Sequence, residues 1–300
     1  MAEALPFLAL PFLACLVLTG IHGYLGIHIV VREVIFVDLA LAQVAALGAV
    51  VAFLFGADLH TSEAYFTSLG FTWVGAALFA LTRTRERRVS QEAIIGIVYA
   101  VSAAAVVLVL DQAPQGAEQI RHTLVGNLLA VTGTQVWKTA LLYAAVGVAH
   151  YVWRRNFLLI SVAPDEAYRR GLRVRLWDFL FYATFGLVVT SSVEMAGVLL
   201  VFSFLIVPAV CATYFADRFW TRLVIGWALG FAVSVLGIYV SYVADLPTGA
   251  TVVCTFGAAL LVCAPLSVLM RRAGWLRAPE RHMRVSAAVS AAARAAEEAP

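Results

Sequence analysis

The chain has 300 residues, 62% of them hydrophobic and only 13% charged, with a mean hydropathy of +0.90. Soluble domains run at roughly 45–50% apolar and about 25% charged, so this is the composition of an integral membrane protein and leaves no room for a separate water-soluble catalytic domain. A net charge of +3 is too small to mark a nucleic-acid partner, and Cys15, Cys211, Cys254 and Cys263 sit in apolar stretches without CxxC spacing, which points to neither a disulfide framework nor a thiolate metal site.

Apolar runs predict an all-α polytopic protein with about nine transmembrane helices, at 6–31, 38–57, 64–82, 91–110, 136–153, 176–193, 194–214, 221–243 and 248–270. No Lys or Arg precedes Arg32, whereas a secretory signal needs a positive segment ahead of its apolar core, so the first run is expected to be retained as a helix. Its two histidines, His22 and His28, are six residues apart and so about 120° apart on a helix. That spacing predicts separate interhelical hydrogen bonds rather than a shared metal site. Asp58, His60 and Glu63 share one short loop after the second run and could capture metal, dock a binding protein or simply face water. The half-apolar segment 115–135 is expected to lie in the interface or to re-enter. The sixth and seventh runs together make about 38 nearly uncharged residues, and their only polar break, Ser191-Ser192-Val193-Glu194, is the predicted point of division. Glu194 would greet a cation there or face water. Pro208 removes a backbone hydrogen bond inside the seventh run, as a kink or as part of a pathway lining. Gly226, Gly230 and Ser234 recur every four residues and predict close packing on one face of the eighth.

Charge distribution sets the orientation, because Lys and Arg in short loops stay on the cytoplasmic side. With the N-terminus outside and the C-terminus cytoplasmic, nineteen of the 21 cationic residues fall on the inner face, leaving only Arg121 and Lys138 outside. A single miscounted span would reverse every later loop, so the split supports both count and direction. Residues 1–270 are the transmembrane domain, and 271–300 a cytoplasmic tail without a histidine-rich tract.

No ATP-binding loop is present: Lys138-Thr139 follows Trp137 where GxxxxGK[ST] requires glycine. GxSxG, HExxH and zinc-ligand spacings are absent as well, so the chain is not expected to be an enzyme, and ATP hydrolysis would have to come from a partner polypeptide. The longest inner connection then becomes informative. Pro164 at a first helical position, Asp165 and Glu166 in the first turn, Arg169 and Arg170 in the last and Gly171 beyond predict a short helix capped at both ends. It is either a docking lever for a soluble subunit or an interfacial helix resting on lipid headgroups.

Several stretches, in order and spanning about Arg32 to Met270, resemble the permease subunit of the ABC importers for divalent metal ions of the zinc, manganese and iron type. They are Arg32–Gly48, Glu92–Ile97, Gly126–Thr132, Asp165–Gly171, Ala196–Ala209 and Asp245–Gly249. The resemblance implies a multi-pass protein of the bacterial plasma membrane, a second permease copy, cytoplasmic ATP-binding subunits and an extracytoplasmic metal-binding protein. Under it, Pro164, Asp165, Glu166, Ala167, Arg169, Arg170 and Gly171 form the segment that couples to the ATPase. A divalent metal ion is then the cargo, with no cofactor held by this chain. Family members carry an acid and, four residues later, a histidine at the start of the second span. Here Gln43 stands at the histidine position and Asp38 lies five residues before it, about 140° away. Asp38, Gln43, Glu194 and Pro208 are the pathway candidates, with a structural ion pair to Arg32 the alternative for Asp38; Ala100 replaces a histidine that some relatives have in the fourth span. Rival functions are a permease for a metal chelate such as haem or a siderophore, and a secondary transporter driven by an ion gradient, which would need paired intramembrane carboxylates.

Overall fold

In a medium without water each backbone N–H and C=O must find its partner within the protein, and an apolar run therefore closes into a helix. The computed structural model describes residues 4–57, 61–83, 89–111 and 128–275. Its elements are α1 (Ala4–Arg32), α2 (Val37–Leu54), α3 (Ser62–Thr82), α4 (Gln91–Leu110), a 3-10 turn at Leu128–Ala130, α5 (Gly133–Val152), α6 (Arg154–Val162), α7 (Pro164–Arg169), α8 (Val174–Ala196), α9 (Val198–Phe215), α10 (Phe219–Ala244) and α11 (Thr248–Arg272). Among the described residues eight helices are long and apolar enough to cross a bilayer. The remaining predicted span, α5, has the length, 20 residues, but Gln135, Lys138 and His150 dilute it. Thr61, Ser90 and Thr132 cap α3, α4 and α5, each side chain accepting from a backbone N–H three residues on.

The predicted division at Ser191–Glu194 is wrong by a few residues. Helix α8 runs through that polar stretch to Ala196, because the Ser191 and Ser192 hydroxyls donate back to the Val188 carbonyl and need no loop to satisfy them. The chain turns instead at Gly197, whose φ of 78° and ψ of 158° lie in a region essentially reserved for glycine. Most of the 115–135 segment, together with Asp58, His60 and the chain beyond 275, lies outside the described residues.

The helices pack as two groups. Helices α2, α3, α4 and α8 form one, and α1, α9, α10 and α11 the other, with α5 leaning on both α1 and α8. The second group is closely interlocked. A Cβ on Gly26 would collide with the Leu205 carbonyl oxygen, so α1 and α9 cross backbone to backbone, and Gly226 and Gly230 lie against Pro208 as the four-residue spacing predicted. Pro208 is thus buried in the α9–α10 contact.

Helix directions bring the cationic residues together. Arg32, Arg83 and the segment around Ser161 meet, the Phe219 ring lies 4.9 Å from His28, and Arg271 donates to the Tyr214 carbonyl at 3.0 Å. All sit at one end of the bundle, the arginine-rich end.

Candidate functional site

At the arginine-rich end α6 and α7 stand outside the spans. Helix α7 starts at Pro164, carries Asp165 and Glu166 in its first turn, and is followed by Gly171 at φ 71°. Glu166 pairs with Arg169 at 2.7 Å and Arg170 at 2.8 Å, and these partners, the Arg170 hydrogen bond first, hold its carboxyl below the ordinary carboxylate range. Ala167 is buried with Ile160 and Val174. The helix is therefore held to the bundle by Ala167 with Tyr168 half-buried beside it, while Asp165, Arg169 and Arg170 are exposed. That is the geometry of a projecting, charged contact surface.

Above it lies a buried ionic cluster. The Asp178 carboxylate on α8 accepts from Arg32 Nη1 at 2.9 Å and from Arg83 Nη1 at 2.6 Å, and its side chain is 0% exposed. Arg32 Nε also donates to the Ser161 hydroxyl oxygen at 2.8 Å, its guanidinium sits 3.9 Å over the Phe181 ring, and Arg83 Nη2 reaches the Ile160 carbonyl at 3.4 Å. The Ser161 hydroxyl donates to the Phe157 carbonyl, so it accepts from His28 Nδ1 at 2.9 Å.

Between the two helix groups runs a polar seam. His22 is fully buried on α1, and its Nδ1 lies 2.8 Å from the Leu18 carbonyl. A carbonyl can only accept, so Nδ1 carries the proton and the unprotonated Nε2 lies 3.2 Å from the Ser192 hydroxyl oxygen, whose single proton is shared between this nitrogen and the Val188 carbonyl. Tyr143 of α5 bonds Ser192, and the Ser191 hydroxyl oxygen, its proton on the Val188 carbonyl, lies 3.4 Å from the Tyr143 oxygen. Alongside, Thr72 and Thr190 join α3 to α8 at 3.2 Å. Toward the far end the seam opens into a pocket of about 380 Å³ lined by Tyr65, Gln135, Lys138, Ser191 and Glu194 among others. Toward the arginine-rich end lies Asp38, 1% exposed, with neither carboxylate oxygen hydrogen-bonded.

Of the sequence-derived candidates, Glu194 lines the pocket, Asp38 and Gln43 are buried on α2, and Glu63 is exposed in the first turn of α3 beside it. Pro208 is apart from all of these. The alternative role for Asp38, an ion pair with Arg32, is not what the fold builds: Arg32 turns to Asp178. Among the described residues no three His, Cys, Asp or Glu side chains converge as a metal site. Asp178, Arg83, His22, Tyr143 and Ser192 were missed as a connected set. His22 and Ser192 were noted singly, and Asp178 left a signal that went unread, an acid placed four residues into a helix long and apolar enough to span, which is rare without a purpose.

Residues 4–267 match the model of the ABC 3 transport family. The chain belongs to this family. Family relatives include the manganese transport system membrane protein MntC of Halalkalibacterium halodurans, 28% identical over 80% of this chain and 81% of that one. A second is the MntC of Listeria innocua, 25% identical over 78% and 81%, and a third a probable iron transport system membrane protein of Haemophilus influenzae, 24% identical over 78% and 80%. Among solved structures, PsaBC from Streptococcus pneumoniae in complex with Fab superposes with a TM-score of 0.74 at 22% identity, over 90% of this chain and 97% of that one, which shows the shared fold. An ABC 3 family chain with this fold is a multi-pass membrane transport subunit, and it is not itself the catalyst of ATP hydrolysis.

Proposed function

We propose that the chain is the permease subunit of an ATP-driven importer for a divalent metal ion, working by alternating access in the bacterial plasma membrane. The observation that carries the proposal is α7: a short helix begun by Pro164 and closed by Gly171, with Ala167 buried and exposed charges presented beyond the spans. The excess of Lys and Arg at that end makes it cytoplasmic and puts the N-terminus outside. There a cytoplasmic ATP-binding subunit grips residues 164–171. The opposite pocket, with Glu194 and Lys138 at its wall, receives cargo from an extracytoplasmic metal-binding protein, and a second permease copy completes the assembly.

Cargo then follows the seam from Glu194 past Tyr143, Ser192 and His22 to Asp38. The donors along it are mainly oxygens, from carboxylates and hydroxyls. Oxygen-rich sites suit harder cations such as Mn²⁺ better than thiolate- or imidazole-seeking ones, in keeping with the manganese transport named for two relatives. The volume of the pocket, about 380 Å³, also favours a second reading, a small metal chelate as cargo.

The test is reconstitution of the permease with its ATPase in vesicles. Mn²⁺-stimulated ATP hydrolysis is expected, and Glu166→Arg should abolish ATPase co-purification while leaving the permease inserted. Full transport by the permease alone would overturn the proposal, and stimulation by haem without any response to Mn²⁺ would replace the ion by the chelate.

A further inference from the structure

The α6–α7 segment needs a mechanical route to the cargo seam, and the apolar contacts of α7 itself offer little, since Ala167 is its one buried residue. Just before α7, the last turn of α6 is gripped by two arginines from other helices. Arg32, the final residue of α1, holds the Ser161 hydroxyl, and Arg83, which caps the C-terminal end of α3, holds the Ile160 carbonyl. Both guanidiniums converge on the single carboxylate of Asp178, in the first turns of α8. One side chain therefore ties together α1 from one helix group, α3 and α8 from the other, and, three residues away from Pro164, the base of the projecting helix.

The three helices so tied all contribute side chains to the seam or its flank. His22 belongs to α1, Thr72 to α3, and Thr190 and Ser192 to α8. The cluster is also stiff. Asp178 and Arg32 have side chains only 0% and 1% exposed, Arg32 is sandwiched against Phe181, and charged hydrogen bonds in such a setting hold short, directional geometry. A network of this kind with two discrete arrangements, bonded or broken, is what carries coupling between distant sites.

We propose that Asp178 is the positioning residue that transmits the movement of residues 164–169 to the cargo seam, through Arg32 and Arg83. The inference rests on the coupling role given to α7 above. Asp178 touches neither ATPase nor cargo, so its loss should separate two activities that a purely architectural role would lower together.

The experiment uses the permease–ATPase complex in vesicles, measuring Mn²⁺ uptake and ATP hydrolysis on the same preparation, with Asp178→Asn and the gentler Arg83→Gln. Arg83→Gln leaves the Arg32–Asp178 pair intact and removes the Arg83 arm of the cluster while keeping a polar side chain. The expected result is normal ATPase co-purification and hydrolysis within twofold of the parent chain, with ions moved per ATP reduced at least tenfold in Asp178→Asn and by a smaller factor in Arg83→Gln; Asp178→Glu should restore part of the ratio. An unchanged ratio in assembled Arg83→Gln, or uptake and hydrolysis falling in equal proportion, overturns the inference. Should Asp178→Asn fail to assemble, Arg83→Gln decides alone. Loss of ATPase binding by the parent chain itself would instead sink the docking role of α7, a separable outcome.

Discussion

Asp38→Asn keeps the shape of the side chain and removes its ability to ionise. In the resting fold neither oxygen of this buried carboxylate has a hydrogen-bond partner, so the protein carries a polar group at a cost of about 1–3 kcal/mol, more when charged. The amide stays unpaired but is neutral, and the variant should be at least as stable as the parent. Each kcal/mol regained raises Tm by about 2–4 °C in a chain of this order of length. Uptake should move the other way. A charge-assisted contact with cargo contributes about 1.5–3 kcal/mol, and with about 1.4 kcal/mol per tenfold kcat/KM for Mn²⁺ should fall roughly 10- to 100-fold. The assay pairs thermal unfolding of detergent-purified protein with Mn²⁺ uptake in vesicles. A residue serving only the fold would lose Tm and activity together; that outcome, or unaltered uptake, refutes a place for Asp38 on the path.

Other substitutions probe the frame. Gly197→Ala forces a side chain into a backbone region that costs a non-glycine residue about 1–3 kcal/mol, so Tm should drop, and an unchanged Tm would deny the strain assigned to the turn. Gly26→Leu overpacks the α1–α9 crossing at the Leu205 carbonyl and should destabilise by about 1–3 kcal/mol or more, seen as reduced yield of folded protein. Tyr143→Phe removes a hydroxyl joining α5 to Ser192; a stability loss of about 1 kcal/mol together with slower uptake is expected, whereas lost stability with full uptake would take the seam off the path. Because its arginine partners displace the Glu166 pKa downward, the carboxylate is ionised at both pH 7.5 and pH 5.5, and ATPase co-purification should be the same at the two; loss at pH 5.5 would contradict the pairing with Arg169 and Arg170.

Local chemistry was legible in the chain. Pro164, Asp165, Arg169 and Gly171 marked α7 because caps and dipole effects act within one turn, and the spans emerged because bilayer thickness imposes a length on any apolar run. The Gly226–Gly230 face was legible for the same reason, since packing repeats every four residues. The ionic cluster was not, because Arg32 and Arg83 lie 146 and 95 residues from Asp178 and no spacing rule connects them. Counting arginines for topology treated both as solvated loop charges, whereas their side chains are only 1% and 14% exposed. The Tyr143–Ser192–His22 link was equally silent. Hydroxyls in apolar helices usually turn back on their own carbonyls, as Ser203 and Ser234 do, and nothing in the sequence singles out those that reach across.

The division into two helix groups has a consequence for how such a molecule can flex. Interlocked backbones, as at Gly26, make each group resist internal sliding, so a rocking motion has to be taken up where the polypeptide passes from one group to the other. Two of those passages are short, the link after α1 and the corner after α8, and each contains a residue twisted into positive φ, Glu33 at 60° and Gly197 at 78°. The rest of the scaffold can stay rigid, like two jaws on a pair of pins, and the pins are set at opposite ends of the membrane.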